Sequence, residues 1–479
     1  MNTSRKMWIV IGIVGVCAGM VRGEEKEKEG VALTVYNGGY GVVREIRELD
    51  IGADGMVKFK DVASAIDATT VHFKSLTDPA AKLMEQNYQY DLVSADKLLK
   101  KYLDREITVV CKGKGYTGKL LSFDPAQIVL QEAGGGVTMV QRADNVQDIR
   151  FSALPGGLLT QPTLLWLVAT EKPGKHLSEV TYQTGGLMWH AEYVLVLNGD
   201  DTAGDLSGWV SVNNSSGKTY REAKMKFIAG DVRKILDAVT GRGESRRELA
   251  KSLSTPRPME EKAFFEYHMY TLPRPSTVAD NETKQLEMFT PATGVKVEKR
   301  FLYNPLGNFR WNYGGQYTDR SYGVTSEKKV NVFVEFTNSE ANKLGIPLPA
   351  GKVRVYKQDP ADRAMEFIGE EQIDHTPKDE QLSLQIGNAF DIVGERKQTE
   401  FKVESGRNWM SETIEIKVRN HKKEAVTVRC KEPLYRWVNW NVTAKSEEFT
   451  KLDARTIVFD VKIEPDKEKT VTYTVEYTW

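Results

Sequence analysis

Along much of the chain apolar and polar residues alternate one for one, the period of a strand with one face in a core and the other in water. From Val31 to Lys60, Val31, Leu33 and Val35 alternate before Asn37-Gly38-Gly39, Val42-Val43-Arg44-Glu45 follows, and a second turn falls at Asp54-Gly55, which predicts antiparallel strands. Ala80 to Tyr102 is different: Leu92, Leu98, Leu99 and, just beyond, Leu103 stand at helical spacing among Ser94, Asp96, Lys97, Lys100 and Lys101. That spacing predicts a helix. The clearest alternation is near the C-terminus, where Val330, Val332, Val334 and Phe336 share one face, Ile414, Ile416 and Val418 another, and Val471, Tyr473, Val475 and Tyr477 a third. Such runs predict a sandwich of antiparallel sheets.

Between Ile107 and Phe151 five short β-rich runs begin 11, 9, 10 and 9 residues apart, at Ile107, Gly118, Gln127, Val137 and Val146. Even spacing of this kind suits a small closed barrel, and a helix followed by five such strands resembles the Sm-like or SH3-like barrel. Strands resume at Leu164–Ala169, Glu179–Thr184, Tyr193–Leu197 and Trp209–Asn213. Residues 231–262 mix Arg233, Lys234, Arg242, Arg246 and Arg247 with Gly, Ser and Pro and few large apolar residues, the composition of a linker or mobile loop. The expected organisation is an N-terminal β region at 31–93, a barrel insertion at 94–151, the β region again at 160–230, the linker, and a C-terminal sandwich region at 263–479. The fold class is mainly β.

The chain has 479 residues, with 66 basic and 66 acidic side chains and no formal net charge. Length alone predicts roughly three domains at about 150 residues each. The charge balance excludes a polyanion-coating protein or a polybasic membrane binder. Cys17, Cys111 and Cys430 are too few and too dispersed for a disulfide framework or a thiolate metal site. At the N-terminus, Arg5 and Lys6 precede an apolar run from Met7 to Met20, and Val21-Arg22-Gly23 places small residues before Glu24. This predicts a signal peptide over 1–23 and an exported protein, periplasmic or extracellular. The run is shorter than the roughly 18 to 20 residues that cross a bilayer, so the mature chain is expected to carry no transmembrane segment.

Several further segments, taken in order, resemble a bacterial envelope family known as domain of unknown function 4139, whose relatives include mucoidy inhibitor A-like proteins. They are Val35-Tyr36-Asn37-Gly38-Gly39, Gln86 to Asp91, Leu187-Met188-Trp189-His190-Ala191-Glu192-Tyr193, Ala229-Gly230-Asp231-Val232 and Asn281 to Gln285. Leu344 to Gly351, Ile386 to Asp391 and Ile414 to Asn420 continue the series. The resemblance implies an exported, mainly β protein and no particular activity. Mucoidy inhibitor A-like members are expected to carry a long coiled coil where this chain has its barrel-like insertion.

Candidate chemistry is sparse. Gly113-Lys114-Gly115-Tyr116-Thr117-Gly118 has the spacing of a dinucleotide loop but is followed by a strand, where the pyrophosphate needs a helix N-terminus, so it reads as a glycine hairpin. The six histidines include no i, i+4 pair, which excludes a helical zinc site of the zincin type. Glu370, Glu371, Asp374 and His375 form the densest group of potential metal ligands, yet a solvated turn explains them, as a hairpin turn explains Asn198-Gly199-Asp200-Asp201-Thr202. His190 and Glu192 share a strand face where a base and its orienter can sit, although a structural histidine at a sheet surface is the commoner case. No metal and no cofactor are expected.

From Asn308 to Tyr322, Phe309, Trp311, Tyr313, Tyr317 and Tyr322 are interleaved with Asn, Arg, Gly and Gln and lack aliphatic neighbours. Flat aromatic faces among planar polar groups suit a sugar ring or a partner peptide; an edge loop packed on the sandwich is the plainer alternative. These five residues are the expected ligand-binding set. The expected function is a noncatalytic binding or scaffolding module of the envelope with a protein or glycan partner. A hydrolase with a site assembled from distant residues is the alternative. An RNA-binding Sm-like module is disfavoured, because residues 94–151 hold nine Lys and Arg against seven Asp and Glu and because export removes RNA as a partner.

Overall fold

The computed structural model describes residues 28–89, 95–142, 146–153, 161–230, 259–264, 267–307 and 315–479. The expected signal peptide, residues 231–258 of the linker expected at 231–262, and Phe309, Trp311 and Tyr313 lie outside them; the end of that linker, from Glu260, is instead part of the strand Glu260–Phe264, paired with Tyr267–Thr271. The fold is mainly β, built from several sheets that are antiparallel except at three parallel neighbour pairs.

An eight-stranded sheet runs in the order Glu260–Phe264, Tyr267–Thr271, Tyr220–Ala229, Gly30–Tyr36, Tyr40–Ile51, Gly174–Gly185, Ile66–Ser75, with Ser276–Val278 attached to Tyr220–Ala229. A five-stranded sheet, Glu282–Lys296, Ala203–Asn214, Leu187–Leu197, Gly351–Gln358, Met365–Ile373, and a three-stranded sheet, Met56–Lys60, Thr163–Ala169, Lys82–Gln89, share one core with it. The alternation that builds these strands is plain in Leu187–Leu197, where Leu187, Trp189, Ala191, Tyr193, Leu195 and Leu197 are buried and the residues between them reach solvent. Each such large apolar side chain contributes about 1.5–3 kcal/mol on burial. A nine-stranded sheet then curls over its own core, in the order Trp440–Lys445, Lys467–Thr478, Trp409–Asn420, Gln381–Glu404, Lys329–Thr337, Glu298–Tyr303, Val426–Pro433, Thr456–Ile463, Thr450–Asp453.

The division of the chain at 231–262 is not a division of the core. Strands on both sides of it are hydrogen-bonded to one another: Tyr220–Ala229 to Tyr267–Thr271, Ala203–Asn214 to Glu282–Lys296, and Leu187–Leu197 to Gly351–Gln358. Even Lys329–Thr337 serves both cores, placing Val330 in the C-terminal one and Val334 and Phe336 in the N-terminal one. Apolar area is buried wherever complementary faces meet, so a polar stretch of sequence does not by itself mark a boundary between cores.

Of the helix expected over 80–102, the described residues show Ala95–Lys101. Lys82–Gln89 is a strand paired with Thr163–Ala169, because Leu83 and Tyr88 pack on the large core and the neighbouring strand offers a full ladder. Here tertiary pairing overrides local spacing.

The five runs between 107 and 151 are the strands Glu106–Cys111, Lys114–Phe123, Gln127–Gln131, Val137–Gln141 and Val146–Arg150. They form a separate sheet with a small core of their own, but an open one among the described residues, not the expected closed barrel. The order places Val146–Arg150 beside Glu106–Cys111 and leaves Val137–Gln141 at the far edge. A bulge between Val146 and Asp148 bends the former strand, and the helix contributes Leu99 to the core, which Tyr102 just after it also fills. The glycine motif lies where a hairpin was expected: Cys111 pairs with Lys114 across a turn in which Lys112 and Gly113 both have positive φ. The whole unit sits between two directly paired strands, since the chain leaves at Gln89 and re-enters at its cross-strand partner Thr163.

Candidate functional site

A second insertion joins directly paired neighbours in the C-terminal sheet. Tyr303 and Val330 are cross-strand partners, yet the chain between them runs from residue 304 to residue 328 without regular structure among the described residues. A hairpin between such strands needs roughly two to five residues. The excess is tied down by charged side chains that the sandwich buries.

Arg436, fully buried, donates from Nε to Glu412 Oε2 at 2.8 Å. Its terminal nitrogens donate to three carbonyls of the connection, Tyr317 at 2.9 Å, Asp319 at 2.8 Å and Tyr322 at 3.0 Å. Its own carbonyl accepts the Tyr317 N–H at 3.1 Å. Arg396 repeats the arrangement: Nε meets both oxygens of Glu432 at 3.1 and 2.9 Å, and Nη1 donates to the Gly323 carbonyl at 3.0 Å. Buried charges of this kind persist only when paired and hydrogen-bonded. Glu412 is completed by Tyr477, Gln398 and Tyr435, and Glu432 by Tyr473 at 2.6 Å. Burial pushes the Glu432 carboxyl above its ordinary value, although Arg396 and the Tyr473 hydroxyl pull the other way. Burial also works against the charge of Arg436, but Glu412 outweighs it and the guanidinium stays protonated.

Gly323 is the point of closest approach. Its φ is 72°, and a Cβ there would stand 2.4 Å from the Tyr435 ring, so both the backbone and the packing require glycine. Tyr317 and Tyr322 stack at 4.1 Å and 11°, and Tyr322 leans on Tyr435 at 5.8 Å. Of the five aromatic residues expected to bind a ligand, these two are therefore half-buried against the sandwich and brought together. Phe309, Trp311 and Tyr313 fall outside the described residues.

The other candidates are placed as follows. His190 Nε2 lies 3.5 Å from Glu192 Oε1 on the outer face of the five-stranded sheet, and Glu192 also accepts from Gln285 at 2.7 Å, Ser211 at 3.2 Å and Arg354 at 3.4 Å. Partial burial works against its charge, but Arg354, His190 and the Ser211 hydroxyl prevail and hold its carboxyl below the ordinary value. Glu370, Glu371, Asp374 and His375 do not converge: Glu370 pairs with Lys352, His375 Nδ1 accepts the Ala350 N–H, and Glu371 accepts the N–H of Gln372. No group of three or more metal-ligating side chains is positioned to hold an ion among the described residues. Asn198 Oδ1 closes the hairpin at 198–203 by accepting the N–H groups of Thr202 and Ala203.

Two features escaped the sequence reading. Ser75 Oγ is 2.9 Å from His176 Nδ1, whose Nε2 is 2.6 Å from the Lys172 carbonyl, the contacts of a hydroxyl nucleophile and its base. Both residues are 1% exposed, and Ser75 Oγ also accepts the Asp78 N–H, so the pair fastens a turn and offers no surface to a substrate. The Arg–Glu anchors were legible only through strand parity. Glu412 shares the inward face of Met410, Ile414, Ile416 and Val418, and Glu432 that of Val428 and Cys430. A charge in phase with a buried apolar run is a signal of a buried ion pair.

No described helix is long and apolar enough to cross a membrane. Comparison with protein-family models finds none that matches the chain, and comparison with curated proteins finds no match.

Proposed function

We propose that the chain is an exported, noncatalytic binding or scaffolding protein of the bacterial envelope, and that the connection 304–328 carries its partner-binding surface. The observation that supports this is the excess of that connection over what its paired strands need, combined with its fixation by two buried arginines. Long loops without secondary structure of their own are uncommon in compact folds and concentrate function, and ordering one in advance lowers the entropy lost on binding. Its tyrosines and the adjoining Phe309, Trp311 and Tyr313 are aromatic residues of the type that dominates binding surfaces. The resemblance to the envelope family agrees with this reading, as does the N-terminal pattern expected of an export signal. The alternative hydrolase gains no support from His190 or His375, whose contacts are those of a sheet surface and a turn.

The experiment is a comparison of variants for retention on a native envelope fraction and for complementation of a deletion strain at matched protein levels. Trp311→Ala with Tyr313→Ala is expected to weaken association by about 2–4 kcal/mol, whereas His190→Ala and His375→Ala leave function intact. Loss of function in the histidine variants, with the aromatic variant unaffected, contradicts the proposal and favours catalysis.

A further inference from the structure

The outer face of the five-stranded sheet carries a second arrangement that the connection 304–328 does not involve. Trp209 stands in the middle of the strand Ala203–Asn214, 38% exposed, with Glu192 opposite it on one neighbouring strand and Glu287 on the other. Its ring makes no hydrogen bond, ion pair or ring contact among the described residues, whereas Trp166, Trp189 and Trp440 each donate an indole N–H to a fixed acceptor. Beside it lies a plane of polar groups centred on Glu192, held by Gln285, Ser211, Arg354 and half-exposed His190.

We propose that this face binds a neutral oligosaccharide, one sugar ring lying on Trp209 and its hydroxyls meeting Glu192, Gln285, His190 and Arg354. The charges themselves select the ligand. Glu192, Glu287 and Glu370 stand among Arg354, Lys352 and the His190 imidazole, so the face presents oriented donors and acceptors with both signs interspersed and no field of one sign. A polyanion needs such a field, and a protein partner needs a contiguous apolar centre, whereas here Trp209 and the Tyr356–Phe367 pair are separated by a row that includes Ser207, Arg354 and Glu370. A sugar presents weakly positive C–H bonds on one face, which suit the negative face of an indole, and hydroxyls around its edge, which suit planar carboxylate, amide and guanidinium groups. The five strands present one continuous face, along which an extended chain of rings can lie. This inference is independent of the partner-binding connection, which belongs to another sheet.

The test is calorimetric titration of the full chain with cellohexaose, chitohexaose and maltohexaose. At least one is expected to bind, with affinity unchanged between about 0.05 and 0.5 M salt, because screening weakens only net ionic attraction. Trp209→Ala is expected to weaken binding about tenfold or more, Trp209→Tyr to retain it within about threefold, and Glu192→Gln to weaken it by a smaller factor. Phe390→Ala, at an exposed position of the nine-stranded sheet, should change nothing. The proposal is overturned if none of the three sugars binds at millimolar concentration, if Trp209→Ala binds as the parent does while melting normally, or if affinity falls steeply with salt.

Discussion

Two insertions interrupt strands that are direct neighbours, one between Gln89 and Thr163 and one between Tyr303 and Val330. The first folds on its own account: Leu99, Ile107, Val109, Leu120, Ile128 and Leu130 make a core separate from both large ones. The second has no apolar centre among its described residues. Instead it borrows the sandwich, through Arg436 and Arg396, whose charges are balanced by glutamates beneath. An insertion thus becomes ordered either by enclosing enough apolar area or by satisfying its backbone carbonyls on buried donors, and the two solutions fail differently.

The largest effect is expected at Arg436. Arg436→Met leaves Glu412 buried without its partner and should cost about 3–5 kcal/mol in chemical denaturation. Adding Glu412→Met should recover some of that stability, yet residues 315–328 should remain open to limited proteolysis, because three carbonyls still lack donors. Recovery of both together would mean that the arginine contributes charge balance and no anchoring. Gly323→Ala should act on the same connection without touching a charge, costing about 1–3 kcal/mol from the left-handed backbone and the clash with Tyr435.

Removing residues 90–162 and joining Gln89 to Thr163 through a short glycine linker should leave the melting of the remainder nearly unchanged, within about 1 kcal/mol, since long insertions alter closure entropy only slowly. The excised unit should fold to a β circular dichroism spectrum with a stability of no more than about 3–5 kcal/mol. A large loss in the shortened protein would show that the unit supports the main core. The smallest effect concerns pH. Asp201, at the turn between Leu187–Leu197 and Ala203–Asn214, bridges Lys299 at 2.6 Å and Lys357 at 2.5 Å. Burial alone would raise its pKa, but the two lysines lower it below the ordinary value of 3.8. A depressed folded-state pKa gives stability that is present above the ordinary aspartate range and lost as pH falls below it. Asp201→Asn should flatten the acid-denaturation curve in that range, and an unchanged curve would remove the bridge from the account.

Strand identity was readable from alternation alone in Leu187–Leu197, Trp409–Asn420 and, from Val471 on, Lys467–Thr478, where every second residue is buried. The five short strands between 106 and 150 were equally clear, because each run is short and bounded by turn residues. Sheet membership was not readable: nothing local tells Tyr267–Thr271 to pair with Tyr220–Ala229 across a polar stretch. The helix over 80–102 failed at Lys82–Gln89 because its partner strand begins at Thr163, far beyond any local window. At the candidate site, the aromatic content of 309–322 was evident, but Arg396, Glu412, Glu432 and Arg436 come from three strands and the segment after one of them, and only folding assembles them.

The central claim is that buried arginines hold the connection in one arrangement, and backbone hydrogen exchange measures that directly. In the parent protein the amides of residues 315–328 should be protected along with the neighbouring strands Lys329–Thr337 and Gln381–Glu404. In Arg436→Met with Glu412→Met, exchange in 315–328 should rise by about a hundredfold or more, which corresponds to roughly 2.7 kcal/mol of lost local stability, while the strands stay protected. Equal protection of 315–328 in the parent and the double variant would contradict the account.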